Sequence, residues 1–79
     1  MENINDEIGR FEVGTIINDN RNTILASSDL ELANFVYERK VQDIIDYGNN
    51  KTTNHIIVFL YDYDKNANIN YFDNETDLL

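Results

Sequence analysis

The residues of this chain best suited to chemistry are closely spaced carboxylates. Asp62 and Asp64 lie two residues apart, and Asp73, Glu75 and Asp77 repeat that spacing. In an extended chain, side chains two residues apart point the same way and lie about 6.6–6.8 Å from each other. Successive phosphates along a nucleic-acid strand have a comparable separation. The pattern is consistent with a surface that imitates a nucleic acid and binds the basic groove of a partner protein. The alternative is that the acidic residues only keep a small protein soluble.

The segment from Asp62 to Asp73 also offers the oxygen ligands that calcium prefers. It resembles the twelve-residue loop of the EF-hand family, with Asp, Asp and Asn at its first, third and fifth positions and a carboxylate at its last. The resemblance implies a calcium site formed by Asp62, Asp64, Asn66, Asn68 and Asp73. Ala67 departs from the glycine of the family, Asp73 replaces its glutamate, and a strand-like segment replaces its first helix. An Asp- and Asn-rich hairpin turn is the alternative.

A second set of carboxylates lies on a predicted helix, where Arg39 and Lys40 offset part of the negative charge. Two candidate partner-binding sets follow. The favoured set lies in and beside the polar connection at 62–68, because surface loops reach into a groove more easily than a helix face does. It consists of Asp62, Asp64 and Asp73. The rival set on the helix consists of Glu38, Asp43 and Asp46.

Residues typical of catalysis are scarce. His55 is the one histidine, and it opens an apolar segment, where we expect it to have a structural role. The absence of cysteine excludes disulfides, thiol nucleophiles and zinc fingers. The three glycines are far apart and form no phosphate-binding loop. We therefore expect a protein that is not an enzyme and needs no cofactor, with calcium as the alternative.

The charge balance narrows the choice of partners. Fifteen acidic residues against six basic ones give a net charge of −9 at pH 7. This argues against direct binding of nucleic acid and against docking on anionic membranes. The longest apolar run, 56–61, is far shorter than the about 20 residues that a membrane span requires. Because cysteine is absent and the first residues are acidic, we expect a cytoplasmic protein.

Two hairpins are predicted, one on each side of a helix. Residues 11–26 alternate in polarity around a turn rich in Asn and Asp at 18–22. The apolar segment 55–61 is predicted to be the central, most buried strand. Residues 69–72 are predicted to be its antiparallel partner, after the polar connection at 62–68.

The segment between the hairpins is predicted to form one amphipathic helix. Ser28 and Glu31 match a capping box, and Gly48 is the expected C-terminal stop, which gives a helix over 29–47. Apolar residues recur through it as a broad stripe. The expected core combines this helix with the central strand and consists of Leu32, Phe35, Val36, Ile44, Ile57, Phe59 and Tyr61.

These elements predict an α+β fold in a single domain, residues 1–79. A small antiparallel sheet of two hairpins packs on one long amphipathic helix, in the order β-β-α-β-β. Residues 1–10 and 73–79 are expected to be mobile ends. An exposed edge strand also makes a homodimer possible, because an edge offers unpaired backbone groups to a second copy.

Size, charge and element order together resemble small acidic phage inhibitors, in particular anti-CRISPR proteins of type II systems. The resemblance comes from the opening Asn3-Ile4-Asn5-Asp6, the turn at 18–22 and the capped helix at 28–47, and it covers somewhat more than half of the chain. The predicted second hairpin departs from the helical C-terminal half of the type II examples. The resemblance implies a non-enzymatic DNA mimic that blocks the nucleic-acid site of a CRISPR effector nuclease. A calcium-binding module and a structural homodimer are the alternatives.

Overall fold

A computed structural model gives the fold and describes residues 9–48 and 54–77. It is an α+β fold with one antiparallel sheet and one long helix. The elements follow one another as β1 (Phe11–Ile17), β2 (Asn20–Ser27), α1 (Leu30–Gly48), β3 (Ile56–Asp62), β4 (Ala67–Asp73) and α2 (Asn74–Asp77). The predicted order β-β-α-β-β is present, and α2 adds one helical turn within the predicted mobile end at 73–79.

The sheet has the order β2-β1-β3-β4, and every neighbouring pair is antiparallel. The first and third strands are therefore central, which agrees with their apolar sequences. Each edge strand contains a bulge, with Ile24 as the extra residue in β2 and Ile69 as the extra residue in β4. Such bulges bend an edge strand and weaken its pairing with other chains.

The first hairpin turns at the predicted Asn/Asp cluster. Asn18 and Asp19 have positive φ angles of 49° and 71°. Two consecutive residues with positive φ are typical of a type I′ turn, whose twist matches that of the strands that it joins. Asn tolerates this backbone conformation better than most side chains do. Asn66, in the second turn, has a φ of 50° for the same reason.

The helix begins at Leu30, and its cap is Asp29 rather than Ser28. The Asp29 carboxylate accepts a hydrogen bond from the Leu32 N–H at 3.2 Å. The Ser27 hydroxyl accepts one from the Asp29 N–H at 3.0 Å and so fixes the residue before the helix. The predicted cap was therefore one residue too early. A carboxylate at this position also interacts favourably with the positive end of the helix dipole.

The core lies between α1 and one face of the sheet. Buried side chains come from the two central strands, from β4 and from the helix. They are Phe11, Val13, Ala33, Tyr37, Ile44, Val58, Leu60 and Phe72. Val13 and Leu60 are cross-strand neighbours in the middle of this face, and both are completely buried.

The predicted core was right only in part. Ile44 is buried in the core and Val36 packs against it. Leu32 and Phe35 are 44% and 64% exposed, because the helix turns its Ala33 side toward the sheet and these two residues away from it. The predicted stripe was too broad to show which of its sides would face the sheet.

The other three residues of the predicted core lie on the second face of the sheet, opposite α1. Phe59 is only 2% exposed there, because its ring packs on the backbone of Gly14 and under the guanidinium of Arg21, 4.4 Å from the ring centre. Ile57 and Tyr61 lie on the same face and are half-buried. The sheet therefore buries side chains on both faces, although only one of them is covered by the helix.

Candidate functional site

Asp62 lies at the end of β3 and is 1% exposed. Its two oxygens accept hydrogen bonds from the Arg10 guanidinium, each at 3.0 Å, and one of them also accepts the Asp64 N–H at 2.9 Å. The Arg10 hydrogen bonds are the main reason that the pKa of Asp62 lies below its ordinary value. Both oxygens are therefore used inside the fold. Asp62 is a structural residue and is not exposed to a partner, contrary to its place in the predicted binding set.

The other two members of that set are also held by contacts within the chain. Asp64 lies 3.2 Å from the Arg10 Nε. Asp73 accepts a hydrogen bond from the His55 Nε2 at 3.0 Å and one from the Glu75 N–H at 2.9 Å. The hydrogen bond between His55 and Asp73 raises the pKa of the imidazole and lowers the pKa of the carboxyl group.

The predicted calcium loop lies in the β3–β4 hairpin. Residues 67–73 form β4, and Asp73 pairs with Ile57, whereas Asp62 ends β3. The two carboxylates are thus about 16 Å apart along the strand direction. Asn66 lies in the turn and Asn68 pairs with Tyr61 in the sheet.

An EF-hand loop brings its first and last positions to one ion, and the β3–β4 hairpin separates them. In ranges 9–48 and 54–77 no group of three or more His, Asp or Glu side chains is placed to hold a metal ion. The resemblance to an EF-hand is therefore one of sequence alone, because this segment folds as strand, turn and strand.

The rival set lies on α1, on two different sides of the helix. Asp46 is exposed and accepts a hydrogen bond from the Gln42 side chain at 3.0 Å. Asp43 lies 3.9 Å from the Arg39 Nε, on the side of the helix next to β2. Glu38 is exposed and lies one turn after Asn34, whose side chain contacts β4. These three carboxylates therefore do not form one cluster.

Tyr37 shows which acidic residues do converge. Burial raises the pKa of its hydroxyl, and the negative charges of Asp77 and Glu38 raise it further. α2 contacts α1, and carboxylates of both helices are thus near enough to one phenol to affect it. Glu75 belongs to the same helical turn. We call this surface, formed by Glu38, Glu75 and Asp77, the acidic edge.

The turn that carries two of the three residues of the acidic edge is anchored to β3. The Asn74 side chain accepts the Ile56 N–H and donates to the Asn54 carbonyl, both at 2.9 Å. Asp73 caps the turn by accepting the Glu75 N–H, while its own N–H donates to the Asp77 carboxylate at 2.8 Å. These hydrogen bonds fix the direction in which the turn presents its charges.

Sequence reasoning missed a buried carboxylate on the second face of the sheet. Glu12 is 5% exposed and accepts hydrogen bonds from Arg21 at 2.7 Å and from the hydroxyls of Thr23 and Tyr63. Burial disfavours the charged form, but the three hydrogen bonds outweigh it, so the pKa of Glu12 lies below its ordinary value. The Tyr63 hydroxyl donates a hydrogen bond to Glu12, and this bond raises the pKa of Tyr63. The only signal in the sequence was a polar residue in an alternating strand.

An apolar groove of about 180 Å³ runs between α1 and β2. Two of the residues around it, Ile24 and Phe35, are among the exposed large apolar side chains. Its lining consists of Ile24, Phe35, Val36, Arg39, Lys40 and Asp43. The groove thus combines apolar side chains with two of the chain's six basic residues.

Compared with protein families, with curated proteins and with solved structures, the chain has no significant match. Among the described residues, no helix combines the length and the apolar character needed to cross a membrane.

Proposed function

We propose that this chain is a non-enzymatic binding protein whose acidic edge occupies a basic site on a partner protein, of the kind that normally holds nucleic acid. The observation that carries the proposal is the contact of α2 with α1, which brings Asp77 and Glu38 near enough to Tyr37 for both charges to raise its pKa. The net charge of −9 adds a long-range attraction to such a site. A CRISPR effector nuclease in the cytosol of a host cell is the partner that the resemblance suggests.

The way in which the acidic edge is held supports a binding role. Hydrogen bonds accepted by the Asp73 and Asn74 side chains fix α2, so its charges are ordered before a partner arrives. Ordered charges lose less conformational entropy on binding than charges on a loose tail. His55, the residue of the sequence most suited to acid–base catalysis, is hydrogen-bonded to Asp73 and belongs to this anchoring.

The structure changes the set of residues to which binding is assigned. Glu38 is retained from the predicted sets, and Glu75 and Asp77 are added. Asp62 is excluded, because it is buried against Arg10. Asp46 lies about two helical turns beyond Glu38, where it extends the negative surface along α1.

The experiment uses a purified type II CRISPR effector nuclease loaded with guide RNA. Two variants each remove two negative charges: E38Q/D77N at the acidic edge and D19N/D29N as the matched control. Asn retains the turn and the helix cap at the control positions. We expect E38Q/D77N to weaken binding by about tenfold or more and the control by less than about twofold.

Two further results are expected from the same complex. Because exposed charges are screened beyond about 8–10 Å at physiological ionic strength, affinity falls as salt rises. Target DNA and the chain exclude each other from the nuclease. Simultaneous binding of DNA and chain, or equal losses in the two variants, would reject the mimicry of nucleic acid.

A further inference from the structure

Phe35 has the greatest exposed fraction of the large apolar side chains that the structure describes, at 64%. Leu32, one turn before it, and Ile24, across the groove on β2, are also exposed. Single exposed apolar residues are ordinary, but these three are neighbours, and Val36 continues them toward the core. We call Ile24, Leu32, Phe35 and Val36 the Phe35 patch.

Phe35 lies midway along α1 between two exposed residues of opposite charge. Glu31 lies four residues before Phe35 and Arg39 four residues after it, and all three are exposed. Residues four apart form one ridge along the surface of a helix. When a second copy of α1 crosses this ridge in the antiparallel direction at Phe35, each Glu31 meets the Arg39 of the other copy.

We propose that the chain forms a two-fold symmetric dimer through the Phe35 patch, in which the two Phe35 rings meet at the axis and Glu31 pairs with Arg39 of the second copy. The occupant is a second copy because the ridge is complementary to itself, as a two-fold interface requires. Ridges of this type pack at an angle of about −50°. This inference is independent of the proposed function.

The distribution of charge favours this side of α1 for contact between copies. Two chains of net charge −9 repel each other, so they meet best where basic residues are concentrated. Arg39 and Lys40 lie beside the Phe35 patch and offset the charges of Asp43 and Glu31 there, which makes this side of α1 close to neutral. The acidic edge lies on the side of the helix that faces β4, as the hydrogen bond between Asn34 and Asn70 indicates. In such a dimer Glu38, three residues after Phe35, borders the contact, whereas Glu75 and Asp77 of the acidic edge lie on α2.

The test measures association of the intact chain by sedimentation equilibrium. Because interfaces that bury less than about 1,200 Å² are typically weak, concentrations from about 10 µM to about 1 mM are required. The wild-type chain is expected to dimerise within this range. F35D is expected to remain monomeric and folded, since the ring it replaces is exposed. Circular dichroism checks the fold of each variant.

Charge variants test the register of the two helices. E31R and R39E are each expected to weaken the dimer by about tenfold, because each places like charges opposite one another at two symmetric positions. The double variant E31R/R39E restores opposite charges and is expected to return to within about threefold of the wild type. E75R makes the same charge change as E31R on α2, outside the α1 ridge, and is expected to change the dimer by less than about twofold.

The proposal is overturned by a wild-type chain that stays monomeric up to about 1 mM, which would leave the Phe35 patch to a different protein. A dimer that persists in F35D places the contact elsewhere, for example at the β2 edge. A double variant no better than its two single variants rejects the register at Phe35. The E38Q/D77N variant separates this proposal from the first one, since it is expected to lose the basic partner and keep the dimer.

Discussion

At the scale of single residues, Glu12 shows how a small protein keeps a carboxylate charged inside a sheet. A buried acid ordinarily has a raised pKa, because a low dielectric disfavours its charge. Glu12 instead has a lowered pKa, because Arg21, Thr23 and Tyr63 all donate hydrogen bonds to it. These donors come from β2 and from the second turn, so one side chain joins both hairpins.

We predict that E12Q lowers the free energy of unfolding by about 1–3 kcal/mol near neutral pH, because the amide replaces a charged acceptor of three hydrogen bonds. A lowered pKa in the folded state gives stability that is present above the unfolded value of about 4.5 and is lost as the pH falls through the folded value. The difference between wild type and E12Q should therefore shrink in acid. Urea denaturation at about pH 7 and about pH 3 measures it, with the exposed E31Q as control. A difference independent of pH would contradict this account.

His55 offers a direct test of how α2 is anchored. Its hydrogen bond to Asp73 raises the imidazole pKa above the ordinary 6.5. A raised pKa means that this contribution to stability is complete below about 6.5 and is lost as the pH rises through the folded value. NMR titration of the imidazole protons is expected to give a value above 6.5 in the wild type and a lower value in D73N. A titration of His55 at or below 6.5 in the wild type would show that the pair does not form in solution.

At the scale of elements, the contact between Gly14 and Phe59 joins β1 to β3 on the face without the helix. A Cβ atom at Gly14 would lie 2.5 Å from the Phe59 ring and 2.5 Å from the Asn22 carbonyl oxygen. F59A is expected to destabilise the chain by about 3–5 kcal/mol, and G14A by about 1–3 kcal/mol through overpacking. Because the ring causes part of the clash, G14A should cost less in the F59A background than in the wild type. Additive effects in urea denaturation would show that the ring does not pack on Gly14.

The start of α1 gives a second test at this scale. Asp29 accepts the Leu32 N–H, whereas Ser28 is an exposed residue one position before it. D29A is expected to cost about 1 kcal/mol of unfolding free energy, and S28A less than about 0.3 kcal/mol. Thermal denaturation of the two variants under the same conditions compares them directly. If S28A lost more unfolding free energy than D29A, Ser28 would be the helix cap.

The elements were predictable from the sequence because their signals are local. The Asn/Asp turn at 18–22, the alternation in β1 and the apolar run in β3 each act within a few residues. The cap was misplaced by one residue because two neighbouring side chains, Ser28 and Asp29, are both good caps. The strand order was not predicted, since nothing local shows that β1 separates β2 from β3.

The site was less predictable than the fold because its contacts are distant in sequence. Arg10 and Asp62 are 52 residues apart, so the burial of Asp62 left no trace in the spacing of the acidic residues. Glu38 and Asp77 are brought together only by the packing of α2 on α1. A sequence gives the net charge of a chain. The fold determines which carboxylates are exposed and which are held in contacts within the chain.

At the scale of the whole molecule, the basic side chains are distributed unevenly. Arg10 and Arg21 neutralise the buried carboxylates Asp62 and Glu12. Arg39 and Lys40 lie together beside the groove between α1 and β2. The structure gives no ion pair with Lys or Arg to Glu38, Glu75 or Asp77 among the described residues. Under the two proposals, one helix offers an apolar side of mixed charge to a second copy and an acidic side to a different partner.

The uneven charge predicts how stability responds to salt. Repulsion among exposed carboxylates destabilises the folded chain, and salt screens it, whereas the pair between Arg10 and the buried Asp62 is screened much less. The melting temperature is therefore expected to rise as NaCl increases from about 20 mM to about 500 mM.

The measurement is made in the F35D background, so that association does not contribute. Adding E38Q/D77N should raise the melting temperature at low salt and reduce its salt dependence, because two of the repelling charges are gone. A melting temperature that falls with salt would mean that screened ion pairs stabilise the chain more than self-repulsion destabilises it, and the acidic edge would then not be a region of uncompensated charge.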